Sequence, residues 1–445
     1  MPHKRLHYAI ENVLLLQQYI SNPTLFKKMK IRKLTSLLLL LCPLWVQAQT
    51  FTLEQSLRLA QANYPAVSQY GLIEQTREFN LSNVAKDWLP RLSVSANIYG
   101  FTDLLDESEE SLASNFDMRN YLGSASLTLS QKVYDGGAAL AQKRVLSSQA
   151  DVDKRRLDVT MYELNERVEQ IYFSILLLDE KIKQNGFLRE DLDISFQNVE
   201  SMIRGGLACQ SDLDAVSLER QKALQQLSSL ETSREAFLRM LGVFTGVEIT
   251  KSATLVRPEM PLESVRSDGS LRPEMAFYAS QSKLLEDQRK QLDTRLRPTL
   301  NFMGGGMIHN QVTKLLNRGL LFGGLSLSWN FSAFYTRKND LRKLSVNELE
   351  IASNAETFLF NVRLQNEQAD GVVSGLREQI LRDDEILRLT ESIRSKSEKQ
   401  VELGTKNVND LLQDVNAVSL ARSNKALHEI ELLQEIYSQK NINNR

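Results

Sequence analysis

The chain has 445 residues, a formal net charge of −1 and 24% charged side chains, so nothing in its balance points to electrostatic binding of nucleic acid. Two cysteines, Cys42 and Cys209, exclude a disulfide framework. The four histidines (His3, His7, His309 and His428) form no metal-like cluster, and neither a nucleophile motif nor a phosphate-binding loop is present, so no enzyme, metal or cofactor is expected.

The N-terminal region reads as a targeting segment. Lys30, Arg32 and Lys33 precede the apolar run from Leu34 to Val46, and Val46-Gln47-Ala48 offers a small-residue cleavage site. Residues 29–48 are therefore expected to be a secretory signal, residues 1–28 an upstream artefact, and the remainder exported. A lipid-modified Cys42 is the alternative, although Leu39-Leu40-Leu41 lacks the small residues that normally precede one.

From Thr52 to Lys86 the pattern is helical, with Pro65 dividing it into two helices that meet at Asn63-Tyr64. The period then switches to two. Leu92, Val94, Ala96 and Ile98 alternate with Ser93, Ser95, Asn97 and Tyr99, and the segment Tyr121 to Tyr134 repeats the pattern, giving two strands. The acid-rich loop between them (Asp103 to Asp117) lacks ligand spacing and reads as a solvated segment. Asp135-Gly136-Gly137 turns the chain into a helix predicted over Ala138 to Arg204. Its apolar residues Leu157, Met161, Leu164, Val168, Ile171, Ile175, Leu178 and Ile182 alternate four and three, the seam of a coiled coil. At ~1.5 Å per residue this helix reaches on the order of 100 Å and needs partner helices. Gly205-Gly206 stops it, and a return helix follows over about Ser211 to Leu241.

After a connector holding Pro258, Pro261 and Gly269, the chain begins again. Pro65 and Pro90 are echoed by Pro273 and Pro298, Ser126-Leu127-Thr128-Leu129 by Ser326-Leu327-Ser328-Trp329, and Gly206 by Gly404, at offsets of 208, 208, 200 and 198. A second long helix is expected over about Thr336 to Leu403, with Ala355, Phe358, Val362, Ala369, Val372 and Leu376 as its seam and Gln365 interrupting it. The chain thus reads as an internal duplication of about 200 residues: 49–245 and 270–441, joined by 246–269.

Strands of about ten residues that alternate apolar with Ser, Thr and Asn, rather than with charges, suit a barrel in an outer membrane. Four strands leave open edges, which lipid does not tolerate, so the barrel is expected to be shared between chains. Trp329, Phe331, Tyr121 and Tyr134 stand near strand ends, as an interfacial girdle or as core packing, and Gly304 to Gly306, Gly323 and Gly324 would ease the curvature of a barrel wall.

In order and spacing, Asn63-Tyr64-Pro65, Trp88-Leu89-Pro90, Val133-Tyr134-Asp135-Gly136-Gly137, Arg272-Pro273-Glu274 and the paired glycine turns resemble the outer membrane efflux protein family, the TolC-like channels. The resemblance covers about Thr52 to Asn441; Ala333-Phe334-Tyr335 lacks the Asp-Gly-Gly turn in the second copy. It implies a mainly α, α+β membrane protein: a homotrimer whose twelve-stranded barrel in outer-membrane lipid continues into an α-helical tunnel through the periplasm. It further implies a non-enzymatic exit duct for efflux or type I secretion, docked to a periplasmic adaptor (membrane fusion) protein and an inner-membrane pump. Gly205-Gly206-Leu207 and Leu403-Gly404-Thr405 would form the adaptor-contact tip. The family's gate maps onto Ser211, Asp212, Lys406 and Asp410, with Val401 and Gln413 in place of two of its polar residues; Asp212 to Lys406 is the pair to expect. Helix capping by Asp212 and Asp410 is the alternative role. The alternative for the whole chain is a periplasmic coiled-coil scaffold or adaptor that does not span the membrane.

Overall fold

The computed structural model describes residues 50–100, 121–260, 269–309 and 319–444. The expected signal, the acid-rich loop, part of the connector and the loop after His309 lie outside the described residues. Strand β1 (Thr50–Phe51) pairs with β4 (Thr254–Leu255), and Thr50–Phe51 and Thr250–Thr254 belong to one compact unit. The short β4, inside the expected connector, carries too few residues for a period-two pattern to show.

The larger unit holds everything else. Helix α1 (Leu53–Asn63) is capped by Thr52 and ends at Tyr64; a single turn over Pro65–Val67 leads into α2 (Ser68–Lys86). The fixed φ of proline and its missing N–H account for the break. Strands β2 (Arg91–Gly100) and β3 (Tyr121–Tyr134) form an antiparallel hairpin. Helix α3 (Ala138–Arg204) runs 67 residues, and α4 (Gln210–Thr245) returns along it. The order then recurs: α5 (Pro273–Thr294), β5 (Thr299–His309), β6 (Gly319–Ser328), α6 (Ser332–Glu402) and α7 (Val408–Ile442). Among the described residues no helix is long and apolar enough to cross a membrane.

The two hairpins meet at β3 and β5, giving an antiparallel sheet ordered β2-β3-β5-β6 with β2 and β6 as unpaired edges. On one face the register aligns Leu92, Leu129, Gly304 and Gly323, then Val94, Leu127, Gly306 and Leu321. This face covers nothing: Val94 is 77% exposed, Ile98 81% and Leu321 87%. On the other face Ser95 Oγ lies 2.7 Å from Ser126 Oγ, as the hydroxyl pattern predicts for the first hairpin. The second hairpin departs from that pattern. Its residues on this face include Met303, Met307, Leu320 and Phe322, so the expected apolar/small-polar alternation fails in β5 and β6. Successive apolar residues there hide the period.

The helical core follows the predicted seam and extends it. In α3, Leu157, Leu164, Val168, Ile171 and Ile175 are buried, and the four-three alternation continues through buried Asn185, Leu192 and Val199. In α6 the buried positions run Val362, Asn366, Ala369, Val373, Leu376, Asp383, Ser397 and Val401. Val372 and Gln365, predicted to face the seam, are exposed, and their neighbours Val373 and Asn366 are inside. A one-residue displacement rotates a helix position by about 100°, which moves a side chain from core to solvent.

Candidate functional site

The two interhelical turns at one end of the bundle form the candidate site. Both are closed in the same way. Gly206, at φ 74°, donates its N–H to Ile203 O at 3.0 Å, and Leu207 donates to Met202 O at 2.9 Å. Gly404, at φ 69°, donates to Val401 O at 2.9 Å, and Thr405 donates to Gln400 O at 2.9 Å. Each is a Schellman turn, in which a left-handed glycine lets two otherwise orphaned carbonyls of the last helical turn be satisfied. The turns present Leu207 (62% exposed) and Leu403 (77% exposed) to solvent. Gly205 precedes the first left-handed residue as the helix cap. Beneath the turns, Val199, Val216, Val401, Leu412 and Val415 make a closed apolar core that fixes one hairpin against the other.

The polar residues expected here are distributed differently. Asp212 sits in the first turn of α4 and accepts the Cys209 backbone N–H at 2.9 Å and the Cys209 thiol at 3.0 Å. These bonds, the thiol first and the backbone second, hold its carboxyl below the usual aspartate range. Ser211, exposed, lies with its hydroxyl 3.1 Å from Cys209 Sγ. At the other turn, Asn407 caps α7 by accepting the Asp410 backbone N–H at 2.7 Å, so Asn407 rather than the Asp410 carboxylate does the capping.

Lys406 does not reach across to Asp212 within the protomer. Its Nζ donates to Asp414 Oδ2 at 2.5 Å and to Ser397 Oγ at 2.7 Å, and Ser397 Oγ donates to Asp414 Oδ2 at 2.5 Å. Burial alone would raise the Asp414 carboxyl; the bonds from Lys406 and Ser397 outweigh it and hold the group down. The triad ties α6 to α7 inside the second hairpin.

A charged link between hairpins lies farther from the turns, at Asp191 on α3. Arg394 on α6 donates from Nη1 to Asp191 Oδ2 at 2.8 Å, and Arg422 on α7 approaches the same oxygen at 3.5 Å. Arg394 also bonds Glu398 at 3.0 Å and Arg422 bonds Glu391 at 2.8 Å. Asp191 and Arg394 side chains are each only 15% exposed, so this pair is far less screened than a surface ion pair. Nothing in the sequence marks Asp191, because its partners lie about 200 residues away in the chain. One signal was available: Arg394 falls on the four-three seam, where a guanidinium needs a carboxylate.

No known family profile and no curated protein matches the sequence. Solved structures do match, over nearly the whole chain. The outer membrane protein VceC of Vibrio cholerae aligns with a TM-score of 0.62 at 11% identity, covering 88% of this chain and 94% of its own. The CmeC outer membrane channel of Campylobacter jejuni aligns at 0.63 and 13%, covering 88% and 85%. The MtrE outer membrane channel of Neisseria gonorrhoeae, in its open state, aligns at 0.63 and 12%, covering 88% of each. The chain has the TolC-like fold of these channels.

Proposed function

We propose that this chain is one subunit of an outer-membrane exit duct, a homotrimer with its sheet in outer-membrane lipid and its helices in the periplasm. The observation that carries the reading is the four-stranded sheet with an uncovered apolar face and two unpaired edges. Such a sheet is not stable in water, and it is not stable in lipid until its edges close. Three copies joined edge to edge give twelve strands, enough for a channel. The fold likeness to outer-membrane channels over 88% of the chain supports the same reading. The clustered Trp329 and Phe331 rings, 4.7 Å apart at the end of β6, suit an interfacial girdle.

The duct conducts passively and carries no chemistry; an inner-membrane pump and a periplasmic adaptor supply energy and cargo, for efflux or type I secretion. Exposed Leu207 and Leu403 on rigid turns are the adaptor contacts. Ser211, Asp212, Lys406 and Asp410 belong to the gate region, and the repeated element order reflects duplication. The Asp191 cluster is one tie that holds the two hairpins together within a subunit.

Extraction from outer membranes in mild detergent, followed by native mass measurement, tests the reading. Three chains per particle are expected. A monomer, or a protein absent from that membrane, would overturn it and leave a periplasmic coiled-coil scaffold.

A further inference from the structure

The sheet face opposite the uncovered apolar one is divided along its length. Its three central rows are Arg91-Ser130-Met303-Gly324, Ser93-Thr128-Gly305-Phe322 and Ser95-Ser126-Met307-Leu320. The β2–β3 half is lined by hydroxyls, the β5–β6 half by a phenyl ring, two thioethers and a leucine. Met303 and Phe322 are each 40% exposed and Leu320 39%. Gly305 makes room for the ring: a Cβ there would stand 3.1 Å from Phe322 Cζ. We propose that this half-face is a lane for aryl-bearing amphiphilic solutes inside the duct, with Phe322 and Met303 as its contact residues.

The inference rests on the duct reading, which makes this the water-filled side. The face cannot be a second lipid face, because the same rows carry Arg91 and a hydrogen-bonded pair of serine hydroxyls. Apolar side chains left facing water gain when a passing solute covers them. Phe322 offers an aromatic ring a stacking or edge contact, and thioethers favour ring edges. One strand from the thioethers and two from Phe322, at a spacing of about 5 Å per strand, the hydroxyls of Thr128 and Ser126 take the polar part of the same molecule. Arg91 is the sole charged side chain in the three rows and is held by Asp87 at 2.5 Å; Lys132, in the next row on this face, lies 3.5 Å from the same aspartate, so with both cations answered the lane sorts by shape and polarity rather than by charge. A second copy meets this sheet at its edges, not on this face, which leaves a mobile solute as the occupant.

Single channels in a planar bilayer test the proposal, with tetraphenylphosphonium as the aryl probe and tetraethylammonium as the non-aryl control. Blocking events by tetraphenylphosphonium should shorten about fivefold in Phe322→Ser and in Met303→Ser, the loss expected from about 40 Å² of apolar contact, with tetraethylammonium unaffected. Phe322→Tyr keeps the ring and should keep the long events. Unchanged dwell times in pores that still conduct overturn the lane. In a Cys209→Ser background, which removes the exposed native thiol, Phe322→Cys should react with a sulfonated maleimide in the open pore. An unreactive thiol in a conducting pore means another segment covers the face, and also overturns it. A wild-type protein that forms no conducting pore instead defeats the duct reading itself.

Discussion

Glu169 offers the sharpest test of the helical core. It lies on α3 beside the end of α7, where burial first, and the neighbouring Glu166 second, push its carboxyl up to about 8, while Lys440 pulls the other way. The Asn441 side-chain amide donates to it at 3.5 Å. In the unfolded chain the group titrates near 4.5, so between 4.5 and about 8 the folded chain holds a proton that the unfolded chain releases. The unfolded state then binds fewer protons, and stability falls as pH rises through that window. At about 1.4 kcal/mol per pH unit, the ceiling is about 5 kcal/mol per chain above pH 8. Glu163, Glu166 and Glu435 line a polar cleft next to it, and hydration there should reduce the effect to about 2 kcal/mol. Glu169→Gln stays neutral at every pH. Thermal melting followed by helical circular dichroism should give coincident midpoints for variant and wild type at pH 4.5, and a variant midpoint about 3 °C higher at pH 8.5. A difference that is the same at both pH values would refute the reasoning.

Asp191→Asn removes the carboxylate that Arg394 and Arg422 share. It should cost about 1–3 kcal/mol and raise single-channel conductance, since the hairpins lose a charged tie between them. Asn366 and Asn443 exchange side-chain amide bonds at 3.0 and 3.1 Å, both buried, so Asn366→Val removes both of these bonds from a buried Asn443. A loss of about 1–3 kcal/mol by chemical denaturation is expected, with the double valine variant recovering part of it. Gly305→Ala would place a Cβ 2.3 Å from the Leu127 carbonyl oxygen, whereas nothing lies within 4 Å at Gly323. Heat-resistant oligomer on a gel should vanish for Gly305→Ala and persist for Gly323→Ala.

Much of the helical architecture was legible because a coiled coil repeats a local rule. From Leu157 to Ile182 in α3 every seam position is apolar, so periodicity alone finds the face. In α6 the same alternation passes through Asn366, Asp383, Arg394 and Ser397, and the pattern disappears from view although the geometry is unbroken. Each of these residues is a polar group that burial would penalise, retained because a partner on or just beyond another helix answers it: Asn443, His428, Asp191 and Asp414 respectively. Reading Val372 and Gln365 as seam residues was the price of following hydropathy where pairing had taken over.

The candidate site was legible in its backbone and not in its side chains. A glycine after a long helix, followed by a return helix, fixes a Schellman turn locally, so both turns fall where the sequence puts them. A partner for Lys406 is a different kind of question. Asp212, Asp410 and Asp414 are all within plausible reach of a turn, and only the helix phase decides among them. In α7, Asp414 stands two turns from Lys406 on the side that faces Ser397, which completes the triad and stabilises the lysine twice over. Asp212 is meanwhile engaged by its own helix start. A gate that uses Asp212 and Lys406 therefore has to break two existing sets of bonds before it makes a new one, and it acquires them only between subunits or in another state of the hairpins. The Asp191 cluster meets no such obstacle, since its arginines already span the hairpins in this state.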